Sequence, residues 1–570
     1  MERDQKHCIT NSVEEMSVRS REMKKLDISN SGHYAYASIC CITVGTLFPN
    51  VWNEDFNSQY VNNLCQHLNL NDRIKPVMIT LATGQSTQSV NPYVTLLLEE
   101  PNLAGKTILV IQDMVLLAVN EGEYDARQRV LIREVASILN VPFELVEMYE
   151  YSLVKYLSQG VGSQSEKGLK ETARRNKISK VKRYAAIGFA TVAGGTLIGL
   201  TGGLAAPFIG IGVGTILGGA SAVALGSTAG AAIVGSIFGV AGAGLTGYKM
   251  NKRVGQVEEF GFQSMMPYEV IEHQLHIAIA ITGWLNDEDP ESITKPWQSL
   301  AVSREQYALR YETKYLIELG QALDYILSIA VTVATQEALK YTVLSGLLSA
   351  VAWPAALLSI ASVIDNPWSV CCRRSSEVGK QLAHVLLTKQ HGKRPVTLVG
   401  FSLGARVIFY CLREMVEIGG GEGIIQDAVI LGAPVTDSKK QWEKCSTIVA
   451  GRIVNGYCKA DWLLRFLYRT LSMSTGVAGL VPVNCERVTN IDLSTIVSGH
   501  REYSDKLPVI LRFIGLNTRE VEVGEIASIM KKSNSMTPSE CTCNPMHEQI
   551  NISIRPSKSD MCLSSIKHPK

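Results

Sequence analysis

The chain has 570 residues, of which 19% are charged and 46% hydrophobic, and its net charge is +2. This length predicts two or three domains, and the near-neutral charge gives no indication of a nucleic-acid partner. The 13 cysteines are scattered, with adjacent pairs at Cys40-Cys41 and Cys371-Cys372, a pattern that favours reduced thiols over a disulfide framework. The first 30 residues are polar and charged, so we expect no signal peptide.

The amino-terminal part of the chain predicts helices. We expect residues 1–32 to be disordered and residues 33–160 to form a helical domain. Tyr34 to Phe48 is apolar but too short to span a membrane, which favours a core helix. Asp125 to Leu139 carries apolar residues at helical spacing. This region indicates a packed adaptor or scaffold module, through which protein partners could bind.

A glycine-rich apolar segment follows a basic linker at residues 161–183. Tyr184 to Gly247 contains no Asp, Glu, Lys, Arg or His over 64 residues, far more than the ~20 that cross a bilayer. Its small residues recur every fourth position, as at Gly195, Gly199 and Gly203, which lets two helices pack closely in lipid. Because both flanks are basic, we expect two crossings, a bend near Pro207, and cytosolic ends.

Two patterns resemble cofactor or metal sites, and we reject both. Gly242-x-Gly244-x-x-Gly247 matches the dinucleotide-binding fingerprint, but it ends the apolar segment instead of following a strand. Cys541-x-Cys543 with His547 lacks a second pair of metal ligands. We therefore expect neither a cofactor nor a metal.

Residues 255–517 predict an α/β-hydrolase fold, a mostly parallel sheet with helices on both faces. Leu275 to Thr282 reads as a buried strand that ends in Gly283-Trp284-Leu285. A glycine at the end of a strand lets the next backbone amides turn toward a reaction centre. Trp284 and Leu285 are therefore candidates for an oxyanion-binding role.

An apolar helical insertion is expected at residues 305–364. It comprises a helix from Ala308 to Lys340 and an uncharged run of 24 residues from Tyr341 to Ile364. That run is long enough to span a bilayer. Yet a single crossing would separate the preceding strand from residues that must share its compartment, so we favour a buried or interfacial helix, or one leg of a lid.

Residues 396–406 carry the most informative motif of the chain. Gly400-x-Ser402-x-Gly404 follows an apolar, β-rich run and precedes a helical pattern from Ala405 to Val416. This is the context of a nucleophile elbow, in which glycines allow a tight turn that pushes the serine hydroxyl out above the sheet. The backbone amide of Leu403, which directly follows the serine, is then the other oxyanion donor.

The residues that complete a catalytic triad follow in the order serine, acid, histidine. Asp461 lies just past a predicted strand at Gly451 to Tyr457, with Asp492 as the reserve acid. His500 follows a glycine in a later loop. In such a triad the histidine takes the proton of Ser402, and the carboxylate orients the imidazole and stabilises its charged form.

The elbow and its flanking blocks also resemble a known family. Asp365-Asn366-Pro367-Trp368 and Arg394 to Arg406 look like the corresponding blocks of the family of transmembrane and coiled-coil domain-containing protein 4. Further similar blocks are Tyr124 to Arg127, Gly283 to Leu285, and Gly499-His500 with Tyr503. The resemblance covers residues 33–515. It implies a eukaryotic multi-pass membrane protein with an α/β-hydrolase domain, and it supplies no substrate.

These observations favour a membrane-anchored serine hydrolase that cleaves a lipid-like ester or thioester through an acyl-serine. Its lipid partner is expected to be an intracellular membrane, with both soluble domains in the cytosol. The alternative is a catalytically silent scaffold or membrane-trafficking adaptor with the same fold. A channel built from the glycine-rich helices is disfavoured, because no charged residue lines them. Residues 518–570 are rich in Ser, Lys and Thr and predict a disordered tail.

Overall fold

The computed structural model describes residues 26–84, 88–120, 122–161, 257–265, 273–338, 355–471 and 476–519. Outside them lie the glycine-rich segment 184–247 with its basic flanks, residues 341–354 of the second apolar run, and the rejected cysteine pattern. Both termini predicted to be disordered lie mainly outside them as well. Within the described ranges, no helix combines the length and apolarity that a membrane crossing requires.

Seven α-helices form the described amino-terminal module. They are α1 (Asn30–Leu47), α2 (Glu54–His67), α3 (Lys75–Leu81), α4 (Asn91–Leu98), α5 (Ile108–Val119), α6 (Ala126–Ile138) and α7 (Phe143–Val161). Ser29 caps α1 by accepting a hydrogen bond from the Gly32 amide, and Asp125 caps α6 by accepting one from Arg127. Most of α1 is buried. The predicted core helix and the predicted helix after Asp125 are thus confirmed.

The rest of the described chain is built on a seven-stranded sheet. Its strands are β1 (Phe260–Ser264), β2 (Ile277–Ile281), β3 (Glu305–Tyr311), β4 (Val396–Phe401), β5 (Ile425–Leu431), β6 (Ile453–Tyr457) and β7 (Val488–Asp492). Their order across the sheet is β1-β3-β2-β4-β5-β6-β7, and β1 alone runs antiparallel to its neighbour. Every residue of β2, β4, β5 and β6 is buried, as expected of parallel strands covered by helices. The mostly parallel sheet was correctly predicted.

Six α-helices accompany the sheet. They are α8 (Thr313–Ala338), α9 (Ala355–Leu387), α10 (Leu403–Ile418), α11 (Lys439–Ser446), α12 (Trp462–Leu471) and α13 (Glu502–Phe513). The apolar side of α10 is buried through Leu403, Val407, Cys411 and Met415, which are spaced four residues apart. Helix α9 packs along α10, and Gly379 allows this approach because a Cβ there would lie 2.6 Å from the Val407 carbonyl oxygen.

One predicted element is wrong. The helix expected from Ala308 begins at Thr313, because residues 305–311 form β3 between β1 and β2. The main-chain groups of β3 pair with both neighbours, and all of its side chains but Arg310 are buried. The alternation of Tyr307, Leu309 and Tyr311 is the signal that could have identified this strand. Residues 355–364 of the second apolar run form the first turns of α9.

The helical module contacts the sheet at the amino-terminal ends of its central strands. The Tyr124 amide donates to the Lys393 carbonyl at 2.8 Å, and the Ala126 amide donates to the Gly423 carbonyl at 2.7 Å. Buried Arg129 donates to the Gln426 side chain at 2.7 Å. Lys393 and Gly423 precede β4 and β5, and Gln426 is the second residue of β5, so these contacts lie where the two strands begin. The elbow lies at the opposite end of β4.

Candidate active site

The serine of the elbow lies in the sharp turn between β4 and α10. Ser402 has φ 52° and ψ −122°, a backbone conformation that a non-glycine residue rarely adopts. Its amide donates to the Leu431 carbonyl of β5 at 2.8 Å, which holds the turn at the carboxyl edge of the sheet. Strain of this kind persists only where the surroundings enforce it, and it concentrates at functional sites.

The two glycines of the motif are required by close packing. A Cβ on Gly400 would lie 2.8 Å from the Gly404 carbonyl carbon, and one on Gly404 would overlap the Ile281 carbonyl oxygen at the end of β2. Neither clash can be relieved by a side-chain rotation, because the opposing atoms belong to the backbone. The glycines of the elbow therefore let β4, α10 and β2 converge on Ser402.

Ser402, His500 and Asp461 form a continuous hydrogen-bonded relay. Ser402 Oγ lies 2.6 Å from His500 Nε2, and His500 Nδ1 lies 2.6 Å from Asp461 Oδ2. Since a carboxylate can only accept, Nδ1 carries the proton and Nε2 is free to accept from the serine hydroxyl. The Leu464 amide donates to Asp461 Oδ1 at 3.0 Å and fixes the carboxylate. All three side chains are buried, with at most 1% of their surface exposed.

The reserve acid lies outside the relay. Asp492 is the last residue of β7 and pairs with Lys459 at 3.0 Å, with 38% of its side chain exposed. Asp461 instead lies four residues beyond the end of β6 and immediately precedes α12. The structure therefore brings together the serine, the acid and the histidine that the sequence order favoured, each from a loop beyond a different strand.

The loop after β2 reaches the serine turn. A Cβ on Gly283 would lie 2.6 Å from Ser402 Cβ and 3.1 Å from the Leu403 amide nitrogen. The Leu403 amide opens α10, where the first intrahelical bond is made by Arg406 to the Ser402 carbonyl, so the helix itself gives it no acceptor. The Leu285 amide donates to the Leu316 carbonyl at 3.2 Å. Of the two loop candidates, Leu285 is therefore already engaged, and Trp284 is retained.

Aromatic rings hold the histidine on two sides. The Trp284 indole centroid lies 5.4 Å from the His500 ring, and the Tyr503 ring lies 5.8 Å from it. Burial raises the pKa of Tyr503 well above its usual range, and the nearby Asp461 charge raises it further. The sequence offered Tyr503 only as part of a family block. Tyr503 lies three residues after His500, at the start of a helix, and this spacing is the sequence signal that could have indicated its contact with the His500 ring.

A residue that sequence reasoning missed follows the histidine. Arg501 donates to the Asn286 side chain at 3.0 Å and pairs with Asp324 of α8 at 2.5 Å. Its guanidinium carbon lies 5.3 Å from the Trp284 ring centroid. These partners are distant in sequence, so no local pattern could have indicated them.

The sheet, the strained serine turn and the buried relay define an α/β protein with a Ser–His–Asp arrangement at the carboxyl edge of its strands. The chain belongs to the family described as protein of unknown function (DUF726), whose model matches residues 179–517. No solved structure matches the chain.

Relatives of this chain occur in several eukaryotes. The chain is 44% identical to an uncharacterized membrane protein of Caenorhabditis elegans, over 80% of this chain and 74% of that protein. It is 40% identical to the transmembrane and coiled-coil domain-containing protein STS1 of Oryza sativa, over 69% of this chain and 61% of that protein. It is 31% identical to the probable lipase MIL1 of Saccharomyces cerevisiae, over 74% of this chain but 40% of that protein.

Proposed function

We propose that this protein is a serine hydrolase with an α/β-hydrolase fold that cleaves a lipid-like carboxylic ester or thioester. The observation that carries the proposal is the relay from Ser402 through His500 to Asp461, with 2.6 Å at both contacts. The order of the three residues and the placement of the serine between a strand and a helix are those of α/β-hydrolases. The yeast relative named a probable lipase supports the same reaction class.

The reaction proceeds by acyl transfer. Ser402 Oγ attacks the substrate carbonyl carbon while its proton passes to His500 Nε2, and the charged imidazole is stabilised by Asp461. The amides of Leu403 and Trp284 donate to the oxyanion that develops on the carbonyl oxygen. When the tetrahedral intermediate collapses, the alcohol or thiol leaves with the proton from His500. Water then attacks the acyl-serine and gives a proton to His500; when this second intermediate collapses, the bond to Ser402 Oγ breaks, His500 returns the proton to Oγ, and the acid is released.

Attachment to a membrane favours a lipid substrate. The uncharged stretch of residues 184–247 has the length of two crossings, and relatives in worm and fission yeast are named membrane proteins. The helical module before this stretch contacts the sheet after it, through Tyr124 and Arg129. Two parts in direct contact lie on one side of a membrane, so the contacts support an even number of crossings, and the basic flanks of the stretch favour the cytosolic side.

The sequence blocks around the elbow support a narrower family assignment. We infer that the chain belongs with transmembrane and coiled-coil domain-containing protein 4, on the blocks around the elbow and on the similar name of the rice relative. The module that carries Tyr124 packs on the sheet, so its protein partners would bind its remaining surface.

A fluorophosphonate probe that acylates active serines tests the proposal on the full-length, detergent-solubilised protein. We expect the wild type to be labelled, Ser402→Ala to be unlabelled, and His500→Ala to lose nearly as much, because members of a triad act as one unit. Ser446→Ala is the matched control, since Ser446 is also buried but only donates to the Glu443 carbonyl. A wild type that is not labelled would support the catalytically silent scaffold. Full labelling of Ser402→Ala would place the nucleophile elsewhere.

A further inference from the structure

One face of α8 packs against the loop that follows β2. The Leu316 carbonyl accepts the Leu285 amide at 3.2 Å, and Gly320 lies so close to the Leu285 carbonyl oxygen that a Cβ would overlap it. One turn further on, Asp324 pairs with Arg501. Residues four apart lie on the same side of a helix. Leu316, Gly320 and Asp324 therefore form a single contact face, and it touches both loops that flank Ser402.

Arg501 links three elements through one side chain. It follows His500 directly, donates to Asn286 of the oxyanion loop at 3.0 Å, and reaches Asp324 of α8 at 2.5 Å. It also lies over the Trp284 ring, with its guanidinium carbon 5.3 Å from the centroid, which is cation–π geometry. The histidine loop and the oxyanion loop are thus tied to each other and to the same helix.

We propose that Arg501 and Asp324 form a clamp that positions the Trp284 amide and the His500 imidazole for acyl transfer. The clamp rests on the hydrolase function proposed above. Asp324 is 52% exposed, and an ion pair so close to the surface contributes little to folding stability. The rate of an acyl transfer, by contrast, falls about 100-fold when the reacting groups are displaced by ~1 Å. The clamp therefore affects the rate of acyl transfer through the positions of Trp284 and His500. Arg501 itself is a positioning residue that does not touch the substrate.

Removal of either partner tests the clamp on the full-length protein with a soluble short-chain ester. We expect Arg501→Gln and Asp324→Asn to lower kcat about 10- to 100-fold while KM and the midpoint of thermal unfolding stay at wild-type values. The double variant should be no slower than the worse single variant, because both changes release the same contact. Arg501→Lys should recover part of kcat, since it restores the charge opposite Asp324 without the planar fork.

Arg413→Gln is the matched control. Arg413 also lies over an aromatic ring, that of Tyr410 at 5.2 Å, and also pairs with a carboxylate, that of Glu417 at 3.5 Å. It lies near the far end of α10 and should keep the wild-type kcat.

Three results would overturn the clamp while leaving the hydrolase intact. They are an unchanged kcat in Arg501→Gln, a raised KM at unchanged kcat, which would make Arg501 a substrate contact, and a loss of activity that parallels a fall in the unfolding midpoint. A wild type without Ser402-dependent labelling would instead overturn the proposed function, and the clamp with it.

Discussion

Gly283 lies directly against Ser402: a methyl group on its Cα would be 2.6 Å from Ser402 Cβ and 2.5 Å from the Phe401 carbonyl oxygen. Real Cβ atoms do not approach other atoms so closely, so any side chain here must displace the loop after β2 or the serine turn itself. This contact brings the loop that carries Trp284 against the turn that carries Leu403, and the amides of these two residues are the proposed oxyanion donors.

Gly283→Ala should therefore slow catalysis strongly by separating those amides. We expect hydrolysis of a soluble ester to fall at least about 100-fold, the loss that follows removal of one oxyanion donor. Gly499→Ala is the control. Gly499 precedes His500, yet a Cβ there meets nothing within 4 Å, so this variant should keep the wild-type rate. Equal loss in both variants would mean that any substitution beside the relay is damaging.

The two candidate acids can be separated by matched substitutions. Asp461→Asn should lower kcat about 10⁴-fold, because an amide facing His500 Nδ1 favours the wrong tautomer of the imidazole. Asp492→Asn removes a half-exposed carboxylate that pairs with Lys459, and it should leave kcat at the wild-type value. Steady-state kinetics on one ester measures both. A large loss in Asp492→Asn alone would assign the acid to β7.

The sequence predicted what depends on local pattern. The strands near Ser402 were recognisable because parallel strands buried on both faces read as continuous apolar runs, as at Ile277–Ile281 and Val396–Phe401. The order of Ser402, Asp461 and His500 could be read from their positions beyond strands. The sequence did not show that the three side chains are hydrogen-bonded to one another. That contact depends on the order of the strands in the sheet, which brings the three loops to the same edge.

The misses share a physical cause. Strand β3 carries Glu305 and Arg310 among its apolar residues, and its place in the sheet depends on pairing with β1 and β2. The engagement of the Leu285 amide depends on Leu316, and the contact of Arg501 depends on Asp324. These contacts join segments that are far apart in the sequence, so a local pattern of apolar and polar residues cannot indicate them.

Acid should destabilise the protein through a buried ion pair at the amino edge of the sheet. Arg394 meets both carboxylate oxygens of Glu305 at 2.6 and 2.8 Å, and both side chains are buried. Burial alone would raise the pKa of Glu305, but Arg394, together with the neighbouring His273, brings it down from 4.5 to about 2. Because the folded-state pKa is the lower one, this stabilisation is present above pH 4.5 and is lost as the pH falls toward 2.

Over that window the pair should account for about 3 kcal/mol of the free energy of unfolding. Glu305→Gln should be less stable at pH 7 by about 3–5 kcal/mol, because it leaves Arg394 buried without a counter-charge. Its stability should also fall less than that of the wild type between pH 5 and pH 3. Urea unfolding at several pH values measures both quantities, with exposed Glu443→Gln as the control. Parallel pH profiles for wild type and Glu305→Gln would contradict the assignment.

The helical module and the sheet should face the same side of the membrane. Native thiols are poor reporters of this, because Cys65 and Cys458 are both buried. Cysteines introduced at Val51, which is 76% exposed, and at Phe513, which is 56% exposed, lie at accessible positions of the module and of α13.

In sealed vesicles of known orientation, a membrane-impermeant maleimide should modify Val51→Cys and Phe513→Cys to the same extent, from the cytosolic face. The reason is geometric: the Tyr124 amide bonds to Lys393 and Arg129 bonds to Gln426, and such contacts cannot form across ~30 Å of hydrocarbon. Permeabilised vesicles supply the control for total reactivity. Modification of one site and protection of the other would require an odd number of crossings between the module and the sheet, and would contradict the hairpin of residues 184–247.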